Sequence, residues 1–585
     1  MDDVLRLLLL IFTAASLLAQ SIAITGATVF DGTGAEPRRA TVLIRDGKIT
    51  GVGANLAIPE AARVVQADGL ALLPGLFDLH THITAAGAPA GSRDVRADWL
   101  KNVKAYARDG VTGVNEFGTY GETFEPYRKL LATLPTPPRI LFASRLSTPG
   151  GHGAEAGRGP DFSYEVVTPR QARAAVQKAL AYRPDVIKVF TDGWRYNAAP
   201  DMTSMNEPTL AAICEEAHKH NLPVLTHTVT LARAKIAARA GVDVVAHGVG
   251  DAPVDAELIA LMKEHRTSYA STLAVYEPGP ANPGTARAER WRRLLPNIAA
   301  MRDGGVTFVL GTDGGEASTP HGISTLHELE LLVLGGLTPT QALIAATRNS
   351  AAAMHATDRG TIAEGKIADL LLVEGEPWSN ISDIRKTRRV WIGGREVDRE
   401  ALKREIDTPG PTPITATKAV KLIDDFEKPE RSSLDTLRLT NTDSGHDHAQ
   451  LLFAQTVRHG GFFGTGGHAL TLIGQMTDKD NPFARVVIPL NRGAVIPVDA
   501  SAFHGFRFDS RGEGEYKLVV TTRTETWTAS FPAAPKWKNL RIPFASLTNT
   551  RAGKWTGDNL LWIAFELSRP AGEKIWLELD NVRFF

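Results

Sequence analysis

One cysteine, Cys214, stands among 585 residues. No internal disulfide can form, and no zinc site built on several thiolates is available. Any metal must be held by histidine and carboxylate-type oxygen ligands. An excess of charge of one sign is also missing. Lys and Arg together number 65, as do Asp and Glu, for a formal net charge of +0. That balance gives no electrostatic case for nucleic acid or an anionic membrane surface. Beyond the first residues no apolar run is long enough to read as a transmembrane span. A content of 43% hydrophobic and 22% charged residues excludes disorder as the dominant state. The length exceeds one compact core and calls for two to four domains. The 53 Gly and 34 Pro indicate many turns, as in α/β and all-β folds.

Residues 7–19 read LLLLIFTAASLLA, an apolar run of signal-peptide length followed by small residues. Residues 1–20 are therefore expected to be a signal peptide cleaved near Ala19, although Asp2 and Asp3 offset Arg6. Export to a periplasmic or extracellular location follows. A buried N-terminal helix is the alternative. Residues 22–73 hold short β-type runs, and RDGKI between two of them signals a hairpin. From about 74 to 350, short apolar runs alternate with segments of helical period. Such alternation argues parallel β/α architecture, and eight units in this span suit a (β/α)8 TIM barrel. Residues 351–403 return to β character, and together with 21–73 they can form one small accessory sheet. Residues 404–419, rich in Pro and Thr, read as a linker. Residues 420–585 alternate apolar and polar residues between turns at sandwich-like spacing.

The chemistry concentrates in GLFDLHTHI, where His80 and His82 stand two apart in an extended segment. Period-two geometry puts both imidazoles on one face, where they can share a metal. Alone, the pair is weak evidence. At the ends of later apolar runs stand Lys188 (DVIKVFTDG), His227 (LPVLTHT), His247 (VDVVAHG) and Asp313 (VTFVLGTD). The C-termini of barrel strands converge on one mouth, which is where barrel chemistry sits. Each residue alone reads as a satisfied core polar group; as a set they read as a metal site. Lys188 lies among Val186, Ile187, Val189 and Phe190. Burial disfavours its ammonium, and a neutral amine can take up carbon dioxide as a carbamate that bridges two metals. Pairing with Asp192 is the alternative. Asp313 can bind metal and also take a proton from a metal-activated water, then pass it to the leaving group.

These motifs resemble the amidohydrolase superfamily, more narrowly its imidazolonepropionase-like branch with metal-dependent Xaa-Pro and Xaa-Arg dipeptidases. The resemblance covers about 22–400: LPGLFDLHTH, IKVFTDG, LTHTVTLARAKIAARAGVDVVAHG, VLGTDGG, LTPTQALIAATRNSAAAM and DRGTIAEGKIADLLLVEG. It implies a distorted (β/α)8 barrel whose flanking segments join as a composite β-sandwich. It implies His80 and His82 on the more buried metal, completed by Asp313 as general base. His227 and His247 would hold the more exposed metal, and carboxylated Lys188 would bridge the two. Imidazolonepropionase proper lacks that lysine and keeps one metal, so Lys188 favours two metal ions. Zinc is the default for this donor set. Ala246 stands where relatives of the branch often carry Glu. His152 in STPGGHG would contact substrate, and Arg195 with Tyr196 in DGWRYN could hold a substrate carboxylate. His321 could line the pocket mouth or cap a helix.

The C-terminal part resembles the complex I intermediate-associated protein 30 type module, a galactose-binding-like jelly-roll. IDDFE, FHGFRFDSRGEGEYKLVV, WKNLRIPFASL and LELDNVRF carry that resemblance. It implies carbohydrate binding or packing against a partner domain. HDHAQ and RHGGFFGTGGH depart from the module's pattern. The expected function is an exported binuclear metal-dependent hydrolase. It would cleave the amide of a dipeptide or N-acyl amino acid, a small-molecule substrate, with metal-bound hydroxide. A cyclic amidase, a lactonase or esterase, and a deaminase are alternatives on the same site. A non-enzymatic binding protein is a third reading.

Overall fold

A computed structural model describes residues 21–88, 97–154, 159, 161–193, 203–278, 285–444, 449–459, 466–550 and 553–585. The chain forms two compact units. One comprises Met1–Glu116, Leu134–Leu141 and Asp243–Thr408; the other comprises Phe117–Thr133, Phe142–Val242 and Pro409–Phe585. No helix among the described residues is long and apolar enough to cross a membrane.

In the first unit an eight-stranded sheet joins both flanks of the barrel sequence. Its order is Arg395–Glu396, Thr387–Ile392, Leu370–Glu374, Leu70–Pro74, Ile22–Val29, Arg38–Arg45 and Lys48–Gly53, with Arg63–Gln66 also on Ile22–Val29. Leu370 pairs antiparallel with Pro74, which ties residues far apart in sequence into one sheet. Its buried face is aliphatic, from Ile22, Ile24 and Val42 to Leu370, Leu372 and Trp391. The RDGKI turn forms as its sequence demands: Arg45 pairs with Lys48, and Asp46 and Gly47 take φ of 52° and 78°. The helix Arg399–Asp407 extends into the segment expected to be linker.

Seven parallel strands alternating with helices make a TIM-like barrel. The first unit supplies Leu76–Thr81 paired with Val111–Glu116, and Val244–Ala246 paired with Ser268–Ala270. In the second unit Val186–Phe190 pairs with Arg139–Ser147 on one side and Val224–His227 on the other. These strands are buried along nearly their whole length, polar residues included, rather than alternating between buried and exposed positions. Side-chain caps start several of the intervening helices: Asp98 accepts from Lys101 N, and Thr168 forms a capping box with Gln171.

The eighth unit departs from expectation. Val306–Gly314 forms isolated parallel bridges, Phe308 with Tyr269 and Gly314 with Thr81, instead of a continuous strand. The cause is local. Asp313 takes φ 63°, which ends an extended run, and its N–H turns to the His80 carbonyl at 2.8 Å.

Residues 417–584 are all-β, in two sheets. One follows the order Thr417–Lys418, Val498–Asp499, Leu560–Leu567, Ala484–Pro489 and Leu439–Thr442, with Gly514–Thr522 and Thr526–Ala533 attached. The other follows Gln450–Arg458, His468–Gln475, Lys574–Phe584, Gly505–Gly512 and Lys538–Pro543, with Leu422–Asp424 attached. Both sheets contribute to one core, where Phe508 lies 5.0 Å from Phe531 and 5.1 Å from Phe565, edge to face.

Candidate metal centre

The strand Leu76–Thr81 ends in the His-Thr-His sequence, and its base is fixed by a buried carboxylate. Asp78 accepts from Thr312 N at 3.1 Å, Thr312 Oγ1 at 2.7 Å, Thr325 Oγ1 at 2.8 Å and His80 N at 3.3 Å. Burial pushes its pKa up to about 6, against the pull of those donors. Asp78 thus pins the Thr312–Asp313 segment to the His80 segment. Asp313 then projects at the two histidines. Its Oδ1 lies 3.1 Å from His82 Nε2 and 3.5 Å from His80 Nε2. Its Oδ2 lies 3.9 Å from His247 Nδ1.

His247 ends the strand Val244–Ala246 with φ 75°. Its N–H reaches the Ala270 carbonyl at 2.9 Å, and its Nδ1 lies 3.0 Å from Thr272 Oγ1. The rings of His80 and His247 are 4.5 Å apart. One donor atom each from His80, His247 and Asp313 falls within 4.8 Å of the others, and all three residues are buried. Imidazole nitrogens with a carboxylate oxygen, shielded from water, suit a divalent transition metal, so the residues present fit the expected ion. His82 joins this group through Asp313.

Lys188, His227 and His152 come together in the second unit. Lys188 is 1% exposed, and its Nζ sits 4.7 Å from the Phe117 ring and 5.4 Å from the Phe190 ring. His227 pairs with Phe190 in the parallel sheet, and its ring lies 4.2 Å from that of His152. His152 also meets Phe190 edge to face at 5.1 Å. Asp192, the alternative partner for Lys188, accepts from Val229 N and from Thr230 Oγ1, where it anchors the start of the helix Leu231–Arg239. Arg195 and Tyr196 lie outside the described residues, as does the expected signal peptide.

His321 neither caps a helix with its side chain nor stands free at a mouth. Its Nδ1 is 2.9 Å from Tyr106 Oη, and its Nε2 is 2.9 Å from the Ala85 carbonyl. Nε2 therefore carries the proton and donates to Ala85, and Nδ1 accepts from the tyrosine. Burial lowers its pKa to about 4. This bridge ties the turn after His82 to the turn after Asp313, where Gly87 N also reaches the Gly315 carbonyl at 2.8 Å. Sequence reasoning missed Asp78, Tyr106 and Arg145. Asp78 had a signal, since it shares strand parity with His80 and His82. Arg145, buried, donates to the Phe117 carbonyl at 3.0 Å and stacks on Phe162 and Phe190, at 4.5 Å and 5.1 Å. Nothing in RILFASRL distinguishes it from a surface arginine.

Residues 71–397 match the amidohydrolase family. Ochratoxinase of Aspergillus niger is 28% identical over 418 residues, covering 62% of this chain and 84% of its own. Imidazolonepropionase of Deinococcus deserti is 27% identical over 398 residues, covering 61% and 92%. A solved Xaa-Pro dipeptidase with bound methionine in the active site shares the fold. Its TM-score is 0.58 at 22% identity, over 65% of this chain and all of that one. The crystal structure of A. niger ochratoxinase gives a TM-score of 0.55 at 25% identity, over 65% and 95%. The matched span contains His80, His82, Lys188, His227, His247 and Asp313, and the chain belongs to the amidohydrolase family.

Proposed function

We propose that this protein is an exported amidohydrolase that uses two metal ions to cleave the amide bond of a dipeptide or an N-acyl amino acid. One observation carries the reading: three histidines, His80, His82 and His247, stand around the carboxylate of Asp313, with distances of 3.1–3.9 Å. His80, His82 and Asp313 would hold one ion, and His227 and His247 the other. When bound, divalent ions, zinc by donor chemistry, supply Lewis acidity and an acidified water.

The protein's own residues do the rest. Asp313 accepts a proton at its carboxylate and returns it to the departing amine as the amide C–N bond breaks. Its left-handed backbone and the bond from its N–H to His80 fix where that proton is held. Lys188 is buried, with its Nζ over the Phe117 and Phe190 rings. As a neutral amine it would add carbon dioxide and lose one proton, and the resulting anionic carbamate would be a further metal ligand. His152, whose ring lies 4.2 Å from that of His227, would face the substrate carbonyl, and Arg195 with Tyr196 would take its carboxylate. The similarity to ochratoxinase and to the Xaa-Pro dipeptidase supports an amide substrate of this class. Export rests on residues 7–19. The similarity to imidazolonepropionase favours a second reading, a cyclic amide opened on one metal.

The test is elemental analysis of purified protein and its Lys188→Ala variant, followed by hydrolysis assays on dipeptides and N-acyl amino acids. Two metals in the parent, fewer in the variant, and turnover abolished by Asp313→Asn are expected. One metal in both proteins moves the assignment to the cyclic amide. Absence of metal after growth with added zinc refutes both.

A further inference from the structure

We propose that the C-terminal all-β region is a clasp on the part of the barrel that carries Lys188, with Arg431 as a positioning residue acting through Glu122. The proposal rests on the reading of Lys188 as a metal-site residue. Glu122 opens the helix Gly121–Leu131, and its side chain is only 2% exposed. An ionised carboxylate buried to that degree needs close partners. They come from the far end of the chain. Arg431 places Nη1 3.1 Å from Oε1 and Nη2 3.1 Å from Oε2 of Glu122, a two-pronged contact. Arg492 adds its Nε at 3.7 Å. Arg431 is itself held by Asp435 at 2.9 Å.

Backbone shape matches at the same place. Gly493, at φ 65°, is pressed so closely on the helix start that a Cβ there would lie 2.8 Å from the Glu122 carbonyl oxygen and 2.9 Å from Thr123 Cα. A second close contact lies in the loop that follows His152. A Cβ on Gly159 would fall 2.5 Å from Thr440 Oγ1.

From Glu122 the packing runs inward to Lys188. Tyr120, just before Glu122, meets the Phe162 ring at 6.3 Å. Phe162 lies under the Arg145 guanidinium, which donates to the Phe117 carbonyl and also covers Phe190. Phe117 and Phe190 are the two rings over which the Lys188 Nζ sits. Without Arg431, the Glu122 charge keeps the Tyr182 hydroxyl and the more distant Arg492 but loses its two-pronged partner, and the helix start is expected to shift toward water. Phe117 lies four residues before the first residue of that helix, and its displacement with the helix start would loosen one of the two faces that hold Lys188. The C-terminal region thus acts on the metal site without supplying a ligand to it.

The experiment compares full-length wild type with Arg431→Met, using zinc and bicarbonate as probes. Zinc bound per chain is measured by equilibrium dialysis across a bicarbonate series, alongside thermal melting. Wild type is expected to take a second zinc in a bicarbonate-dependent way. Arg431→Met is expected to need on the order of tenfold more zinc for that second ion, with the first bound as in wild type. The double variant Glu122→Gln/Arg431→Met removes the buried carboxylate together with its partner, leaving only the solvent-exposed Arg492 and Asp435 without theirs, and is expected to regain most of the second-zinc affinity. General loosening would weaken both ions and show no such recovery, which overturns the proposal. So does an Arg431→Met protein that binds its second zinc as wild type does. If Arg431→Met does not fold, Glu122→Gln alone carries the comparison, and unchanged second-zinc affinity in it overturns the clasp. A wild type without any bicarbonate-dependent second zinc overturns the reading of Lys188 and the clasp together. Loss of the clasp alone is distinguished by wild type and variant binding that ion equally.

Discussion

Replacing Glu328 by glutamine should remove a pH dependence of stability built in beside His247. Glu328, in the helix Ile323–Leu334, is 1% exposed. Its carboxyl accepts from Leu273 N at 2.8 Å, Ala274 N at 2.7 Å and Ser271 Oγ at 3.1 Å. Those residues flank Thr272, a non-glycine at φ 46°, whose Oγ1 meets His247 Nδ1. Burial pushes the Glu328 pKa from 4.5 up to about 7; the three donors pull it down, and the nearby Asp78 charge raises it further. The folded pKa lies above the unfolded one, so the folded state favours the proton. Its contribution to stability is complete below about pH 4.5 and is lost as pH rises through about 7. A displacement of that size is worth about 3 kcal/mol. The stability of wild type relative to Glu328→Gln should therefore fall by about that amount between pH 4.5 and 8, on top of a constant offset for the altered hydrogen bonds. For a unit of this size, melting temperature moves by roughly 2 °C per kcal/mol. Melts of the metal-free proteins across the series should show wild type losing about 6 °C against the variant. A difference that stays flat with pH refutes the reasoning.

His321 should show the opposite sign. Its folded pKa of about 4 lies below the ordinary 6.5, so its contribution is present above pH 6.5 and is lost as pH falls through 4. Acid melts of His321→Gln should lack that loss. Gly315→Ala places a Cβ 2.2 Å from the His82 carbonyl oxygen at φ 105°. It should cost more than about 2 kcal/mol and weaken metal binding, checked by melting and by zinc titration. In the all-β region, Arg438 and Asp424 form a buried pair with contacts of 2.5 Å and 2.9 Å. Arg438→Ala should cost about 3–5 kcal/mol, because it leaves Asp424 charged and unpaired. Chemical denaturation followed by tryptophan fluorescence reads that loss.

Much of the fold was legible because its signals are local. Buried parallel strands read as short apolar runs, and Asp46-Gly47 signalled its hairpin through two left-handed residues. The eighth barrel unit sits where the pattern places it, between Ser268–Ala270 and Leu76–Thr81, but is less regular than its sequence suggests. VTFVLGTD has the composition of a strand, but composition carries no trace of the φ 63° that Asp313 adopts. That conformation is dictated by contacts from elsewhere: Asp78 holding Thr312, the His80 carbonyl receiving the Asp313 N–H, and Thr319 Oγ1 donating to the Asp313 carbonyl at 3.0 Å.

The same distinction separates the site residues that were found from those that were missed. His80, His82, His247 and Asp313 sit at ends of apolar runs, so their positions along the chain already place them at strand ends. Asp78, Tyr106, Arg145, Glu122 and Glu328 act through partners remote in sequence, and each looks ordinary in its own segment. All are buried polar groups, which elsewhere in a protein would be liabilities. Here each buried group meets a backbone or side chain that fixes a proposed metal ligand or a ring over Lys188. Asp78 joins the Thr312 segment to His80, the Tyr106–His321 bridge joins the turns beyond His82 and Asp313, and Glu328 braces the residues around Thr272. A ligand set can be read from residue types at strand ends. The polar network that gives those ligands their angles cannot, because it exists only once distant segments have been brought together.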